Sequence, residues 1–191
     1  MRLFALLIAA LTYLPIVSFQ NKPPDYDLCI YGGTSAGVIA AYTAAKMGKR
    51  VVLIEPGKHP GGLSAGGLGY TDIGNKYAIT GLAREFYRKI GKHYGKFEQW
   101  IFEPHVAEDL FKEYLQHPNI RVMYDHRITR VAKGNASITG IIIENSTVSA
   151  ESLKTISATM FIDCSYEGDL MAMAGVSYTV GRESNSTYQE T

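Results

Sequence analysis

The chain predicts an α/β fold built on a parallel sheet with an antiparallel β-meander set into it. Three stretches carry that expectation. Asp27 to Glu55 reads as strand, glycine turn, helix and strand. Residues 121–157 hold short alternating apolar runs separated by turn residues. Met160 to Leu170 reads as an apolar strand that ends in a polar turn and enters a short helix. The first pattern makes parallel pairing, because the helix carries the chain back to begin a second strand alongside the first. The second makes hairpins.

At the N-terminus, Arg2 precedes an apolar run from Leu3 to Val17, broken by Pro15, with Ser18 at a position suited to cleavage. The run is too short to span a bilayer comfortably, so residues 1–18 read as a secretory signal peptide. The expected location is extracytoplasmic, with no stable membrane insertion after cleavage. Twin arginines are absent, so export of the unfolded chain and loading of any cofactor after translocation are expected. Residues 19–26, with Pro23 and Pro24, form a polar linker.

The next unit explains itself chemically. Leu28 to Tyr31 is a continuous apolar run, as suits a strand buried on both faces. Gly32, Gly33, Thr34, Ser35, Ala36 and Gly37 follow, and a helical pattern runs to Met47, closed by Gly48. A helix N-terminus offers unpaired N–H groups and the positive end of the helix dipole, which suits a pyrophosphate. Glycines let the backbone approach. The pattern is G-x-G-x-x-G with an acid about 20 residues on, here Glu55 after Val51 to Ile54. Thr34 replaces the middle glycine, and its hydroxyl is expected to donate to a phosphate oxygen. Ala40, Ala41, Ala44 and Ala45 keep the helix close to its sheet. Glu55 is placed to accept from ribose hydroxyls, which argues against a 2′-phosphate. The unit therefore reads as a dinucleotide site.

Pro56 to Gly69 is unusually rich in glycine, as a backbone lying against a flat ligand requires. Two helices are expected next. In Ile79 to Ile90, Leu82, Phe86 and Ile90 share one face, and Arg84, Arg88 and Lys89 form the solvated side. The second starts at Pro104 and ends before Pro118, with Val106, Leu110, Phe111, Tyr114 and Leu115 as its apolar stripe and Glu108–Lys112 as an exposed i,i+4 pair. Trp100 is expected in the core and His105 at the surface. Strands are expected at Arg121 to Tyr124, Ile128 to Ala132, Ile138 to Glu144, Ser146 to Ala150 and Leu153 to Ser157.

Composition excludes some functions. The 191 residues hold 19 Lys and Arg against 18 Asp and Glu, so no basic field points to nucleic acid. The five histidines show no ligand spacing, and no metal site is expected. Cys29 and Cys164 are the only cysteines and read as buried thiols, with a disulfide between them in an oxidising compartment left open; without C-x-x-C there is no redox dithiol of that kind. Sequons begin at Asn135, Asn145 and Asn185 and matter only in a glycosylating host.

These motifs together resemble the FAD-dependent oxidoreductase family, which shares a glutathione-reductase-like, Rossmann-like FAD fold with the fumarate reductase flavoproteins. The resemblance rests on the glycine turn with Glu55, on Gly61-Gly62 a few residues after Pro56, and on Asp163, Ser165, Gly168, Asp169 and Leu170, which fit a D-x-(T/S)-x-x-G-D-L ending. It implies FAD as cofactor, with Gly61, Gly62, Leu63 and Ser64 running along it toward the flavin ring. It also implies that the meander is the crossover of the FAD domain, that the Ile128 backbone meets adenine, and that Asp163 lies near the cofactor. His59 does not match the position at which some relatives attach FAD covalently, so noncovalent FAD is expected. The partner is then a small-molecule substrate. Residues 27–183 make up the N-terminal part of the FAD-binding domain. Residues 184–191 are expected to begin a region that is missing here, because no second ribitol-binding Gly-Asp segment or substrate domain follows. No catalytic acid or base is assigned; Tyr70, Asp72, Arg182 and Glu183 are polar candidates. Two other readings stay open: an NAD-binding dehydrogenase, and a non-catalytic nucleotide-binding fragment.

Overall fold

The computed structural model describes residues 23–148 and 153–190. The expected signal peptide and the first half of the expected linker, residues 1–22, lie outside the described residues. Among those described, no helix is long and apolar enough to cross a membrane.

Strand β1 (Tyr26–Tyr31) leads through the glycine turn into α1 (Ser35–Lys46) and then β2 (Val51–Ile54). Helices α2 (Gly81–His93) and α3 (Pro104–Leu115) precede β3 (Ile120–Met123). Strands β4 (His126–Gly134), β5 (Ser137–Asn145) and β6 (Lys154–Asp163) follow, and α4 (Asp169–Met173) comes after β6. The sheet has six strands in the order β3-β2-β1-β6-β5-β4. β3, β2, β1 and β6 run parallel; β4 to β6 are antiparallel.

β6 ties the two parts together. Its first half pairs with β5, as in Ile141 against Ile156, and its second half with β1, as in Cys29 against Phe161. The expected separate strands, Leu153 to Ser157 and the run at Met160, are therefore one continuous strand. Ser146 to Ala150 does not form the expected strand where it is described, because the Asn145 side chain turns the chain by accepting from the amides of Thr147 and Val148.

Alternation along β1 and β2 sends side chains to two cores. Ile30 and Leu53 meet Val38, Ala41, Phe86, Leu110 and Phe111 beneath the three long helices. Cys29, Tyr31, Val52 and Ile54 meet Ile128, Ile141, Ile143 and Leu170, so the folded meander and α4 cover the other face. This is the two-sided burial that the apolar runs of a parallel sheet need. In α3, Pro104 occupies the first turn and the expected apolar stripe is buried. α2 starts two residues later than expected, after a short 3₁₀ turn at Lys76–Ala78 capped by Asn75. Arg84 is not on a solvated side: its side chain is 17% exposed and its Nε donates to Glu98 Oε1 at 2.6 Å. That loop carboxylate is also bound by Arg88. Trp100 is buried and stacks on Tyr87, and His105 is exposed.

Candidate cofactor site

The site forms at the C-terminal ends of β1, β2 and β6. Gly32 has φ +98°, and a Cβ there would lie 2.6 Å from the Ser165 nitrogen. At Gly37 a Cβ would overlap the Gly32 carbonyl oxygen, so this glycine presses the helix onto the turn. Thr34 caps α1 by accepting from the Gly37 amide at 3.4 Å, and its hydroxyl donates to the Cys164 carbonyl at 2.8 Å. The one hydroxyl hydrogen is thus committed to the neighbouring turn, and Thr34 does not have the expected donor free for a phosphate. The Ala36 amide, in the exposed first turn, has no acceptor among the described residues.

Glu55 closes β2 and reaches back over the turn. Its carboxylate accepts from the Gly33 amide at 2.6 Å and the Gly57 amide at 2.7 Å. Each oxygen keeps a further lone pair for a ribose hydroxyl. Next along the chain, the Gly61 amide donates to the Gly33 carbonyl at 2.7 Å, which draws the second glycine pair alongside the first turn. Gly62, Leu63 and Ser64 make a single 3₁₀ turn, and the Leu63 amide donates to the Tyr166 hydroxyl at 2.8 Å.

A second strand-to-helix turn stands beside the first. Asp163 Oδ1 accepts from the Ser165 amide and hydroxyl, at 2.9 and 2.7 Å, and Oδ2 from the Met171 amide at 2.8 Å. Ser165 Oγ in turn accepts from the Gly168 and Asp169 amides. Asp163 therefore organises this turn from inside.

Between the two turns lies a cleft of about 450 Å³, lined by Tyr31, Gly32, Thr34, Glu55, Gly62 and Arg127 among others. A second, of about 330 Å³, lies at the first turn of α1 and includes Ser35, Ala36, Ser64 and Phe86. A larger hollow of about 750 Å³ surrounds the start of α2 but includes none of the strand ends. The structure thus brings together Gly32, Thr34, Glu55, Pro56 and Gly62 in one cleft and Ser35, Ala36 and Ser64 in the other. Leu63 exposes its side chain, and Ile128 is 4% exposed and turned into the core. Its backbone is the expected adenine contact, and its amide donates to the Tyr31 hydroxyl at 3.4 Å.

Sequence reasoning missed Tyr31, Arg127 and Tyr166. Tyr31 reads there as one more apolar strand residue, and nothing local marks its hydroxyl as facing a cleft. Burial pushes the Tyr31 phenol up, and the charges of Asp169, Asp163 and Glu55 add to that, so the group stays protonated. Burial likewise raises Cys29, to about 12, and Cys164, where the Asp163 charge adds to the effect. Both cysteines are free thiols, and no metal-binding cluster is present among the described residues.

The residues fit an FAD-type dinucleotide: an unpaired amide in a helix's first turn, glycines that admit close backbone contact, and an acid at the next strand end. Comparison with known proteins agrees. A thiamine thiazole synthase from Pyrococcus horikoshii is 32% identical over 85 residues, which cover 44% of this chain and 32% of the synthase. The glycerol-3-phosphate dehydrogenase of Bacillus halodurans, complexed with FAD, superposes with a TM-score of 0.57 at 11% identity over 81% of this chain and 37% of that one. L-proline dehydrogenase from P. horikoshii superposes with a TM-score of 0.57 at 16% identity, over 83% and 58% of the two chains. The match thus spans about a third of the synthase, and this chain covers less than two thirds of either dehydrogenase. A family model for FAD dependent oxidoreductases matches residues 27–191. The chain belongs to the FAD dependent oxidoreductase family, and its cofactor is FAD.

Proposed function

We propose that this chain is the FAD-holding part of an exported oxidoreductase that uses noncovalent FAD on a small-molecule substrate. The observation that carries this reading is the paired arrangement of Glu55 and the α1 N-terminus, with the Glu55 carboxylate anchored on the Gly33 and Gly57 amides at the mouth of the cleft. Bound FAD supplies hydride acceptance and onward electron transfer. The chain's own residues bind and orient it. Glu55 accepts from the ribose, and the first turn of α1, with its free Ala36 amide, faces the pyrophosphate. The small residues Gly61 to Ser64 let the backbone lie close to the rest. Export is supported by the charged start and apolar run of residues 2–17. Noncovalent attachment is supported by the sequence position of His59, ahead of the Gly61–Gly62 pair; it lines the cleft with its Nδ1 bonded to Glu108 Oε1 at 2.9 Å.

The test uses Ala36→Glu. A carboxylate in the first turn favours the helix by about 0.3–1 kcal/mol and repels a phosphate at the same place. The expected result is a variant at least as thermally stable as the parent that has lost FAD affinity more than about tenfold. Undiminished FAD binding would remove the pyrophosphate from this helix. Acid precipitation of the loaded protein should release all flavin into solution, and yellow pellets would contradict noncovalent attachment. N-terminal sequencing of secreted protein should start near Phe19, and Met1 on protein retained inside the cell would contradict export.

A further inference from the structure

We infer that the Tyr31 hydroxyl is the donor that fixes the adenosine half of the dinucleotide, in the role that the backbone of Ile128 was expected to fill. The inference rests on the FAD reading above and adds a residue to it.

Tyr31 is the last residue of β1, 1% exposed, and it lines the 450 Å³ cleft with Glu55 and Arg127. Its hydroxyl accepts one hydrogen bond, from the Ile128 amide. Its own hydrogen has no acceptor among the described residues, and a buried hydroxyl hydrogen left unpaired is unfavourable. The hydrogen therefore has an unmet need at the cleft wall, beside the carboxylate that reads the ribose.

The surroundings say which part of the ligand meets it. Asp163, Asp169 and Glu55 all act on this phenol electrostatically, and Arg127 on the same cleft is engaged by Glu144, so carboxylates outweigh free cations beside it. A phosphate would be repelled there, whereas an uncharged acceptor, a ring nitrogen of the base or a ribose oxygen, would not. The phosphate-facing turn, with Ser35 and Ala36, opens on the other cleft. Arg127, held by Glu144 Oε1 at 2.8 Å, flanks the same wall and offers a planar cation on which a base can stack. The Ile128 amide is already used, so recognition passes through the tyrosine: Ile128 N–H to Tyr31 oxygen, and Tyr31 O–H to the nucleoside.

The experiment measures binding of ADP, FAD and FMN to the whole chain and to Tyr31→Phe. FMN lacks the adenosine and serves as the internal reference. One neutral buried hydrogen bond corresponds to a loss of roughly 3- to 10-fold, so ADP and FAD should weaken by that factor while FMN stays within about twofold. Equal affinity of variant and parent for ADP overturns the inference. An equal loss for all three ligands also overturns it, because the role is then structural. Tyr31→Phe also strips the Ile128 amide of its acceptor, so the variant's thermal stability is measured alongside. Should it not fold, 3-fluorotyrosine at position 31 preserves the ring and strengthens the donor. The ADP-to-FMN affinity ratio must then change, and an unchanged ratio overturns the inference. If the parent binds neither FAD nor ADP, the FAD reading itself fails and takes this inference with it. If the parent binds both and the substituted proteins match it, only the role of Tyr31 fails.

Discussion

β1 and β6 are neighbours in one sheet, and each ends in a turn that starts a helix, yet the two turns are built in opposite ways. The turn after β1 is shaped by backbone. Gly32 adopts φ +98°, the Gly37 position has no room for a side chain, and of the turn's own side chains Thr34 stitches it, with Glu55 holding the Gly33 amide from outside. The turn after β6 is shaped by side chains, with Asp163 and Ser165 between them taking the amides of Ser165, Gly168, Asp169 and Met171. The first turn leads into a twelve-residue helix and the second into one of five, so a full helix dipole stands behind only the first. The proposed pyrophosphate site is at the first. Asp163 and its partners support that site from next door, because the Thr34 hydroxyl and the Gly32 backbone both rest on residues 164 and 165.

The largest test of this contrast uses glycine. In Gly32→Ala, a Cβ would sit 2.6 Å from the Ser165 nitrogen and 2.7 Å from the Cys164 carbonyl carbon, at a φ unsuited to L side chains. Backbone on both sides cannot give way cheaply, so a loss of about 3 kcal/mol is expected in chemical denaturation. Gly168→Ala has φ +71° but meets only the flexible end of Met171, so about 1 kcal/mol is expected. Equal losses would erase the distinction between the two turns.

Asp163→Ala comes next. It removes a carboxylate that accepts three hydrogen bonds, and a loss of about 2 kcal/mol is expected. Because Asp163 faces its own turn, FAD affinity measured well below the melting temperature should fall by less than about threefold. A larger drop at unchanged stability would put Asp163 against the cofactor.

The smallest effect concerns the two thiols on these strands. Burial holds the Cys29 proton up to about 12, against 9.0 for an exposed thiol. The folded state thus keeps a proton that the unfolded chain releases. The Cys29 contribution is complete below about pH 9 and is lost as pH rises toward 12. Cys29→Ala should flatten that alkaline limb in denaturation measured against pH. Cys164 is raised less and lies half-exposed in the turn, so it should react first with an alkylating reagent on the native protein. Faster modification of Cys29 would mean that β1 is more open than its packing implies.

What could be read from the sequence was local. The glycine turn, the apolar strands on either side of α1, the acid at Glu55 and the stripe of α3 all follow from neighbours a few residues apart, and all appear where expected. Thr34 was recognised as unusual, but its true partner is the Cys164 carbonyl, 130 positions away. Tyr31 and Ile128 are separated by 97 positions, and Glu98 closes on Arg84 from a loop with no periodicity of its own. The fusion of two expected strands into β6 has the same origin. A break after Ser157 is plausible from turn-forming and small residues, and only pairing with both β5 and β1 keeps the backbone extended.

The position of β6 has a consequence for the newborn chain. β1 gains β2 as a partner within about twenty residues of its own end, but its other edge waits for Ala158 to Asp163. For all that length, the run Leu28 to Tyr31 presents unpaired backbone and apolar side chains on a bare strand edge. Such an edge is a template for pairing with another chain. Closing it brings together segments separated by well over a hundred residues, which slows folding. The rate at which β6 arrives, rather than the strength of any contact in the finished molecule, then decides how much of the protein escapes aggregation. Expression at low temperature or with a holding chaperone should therefore raise the soluble yield more than any surface substitution.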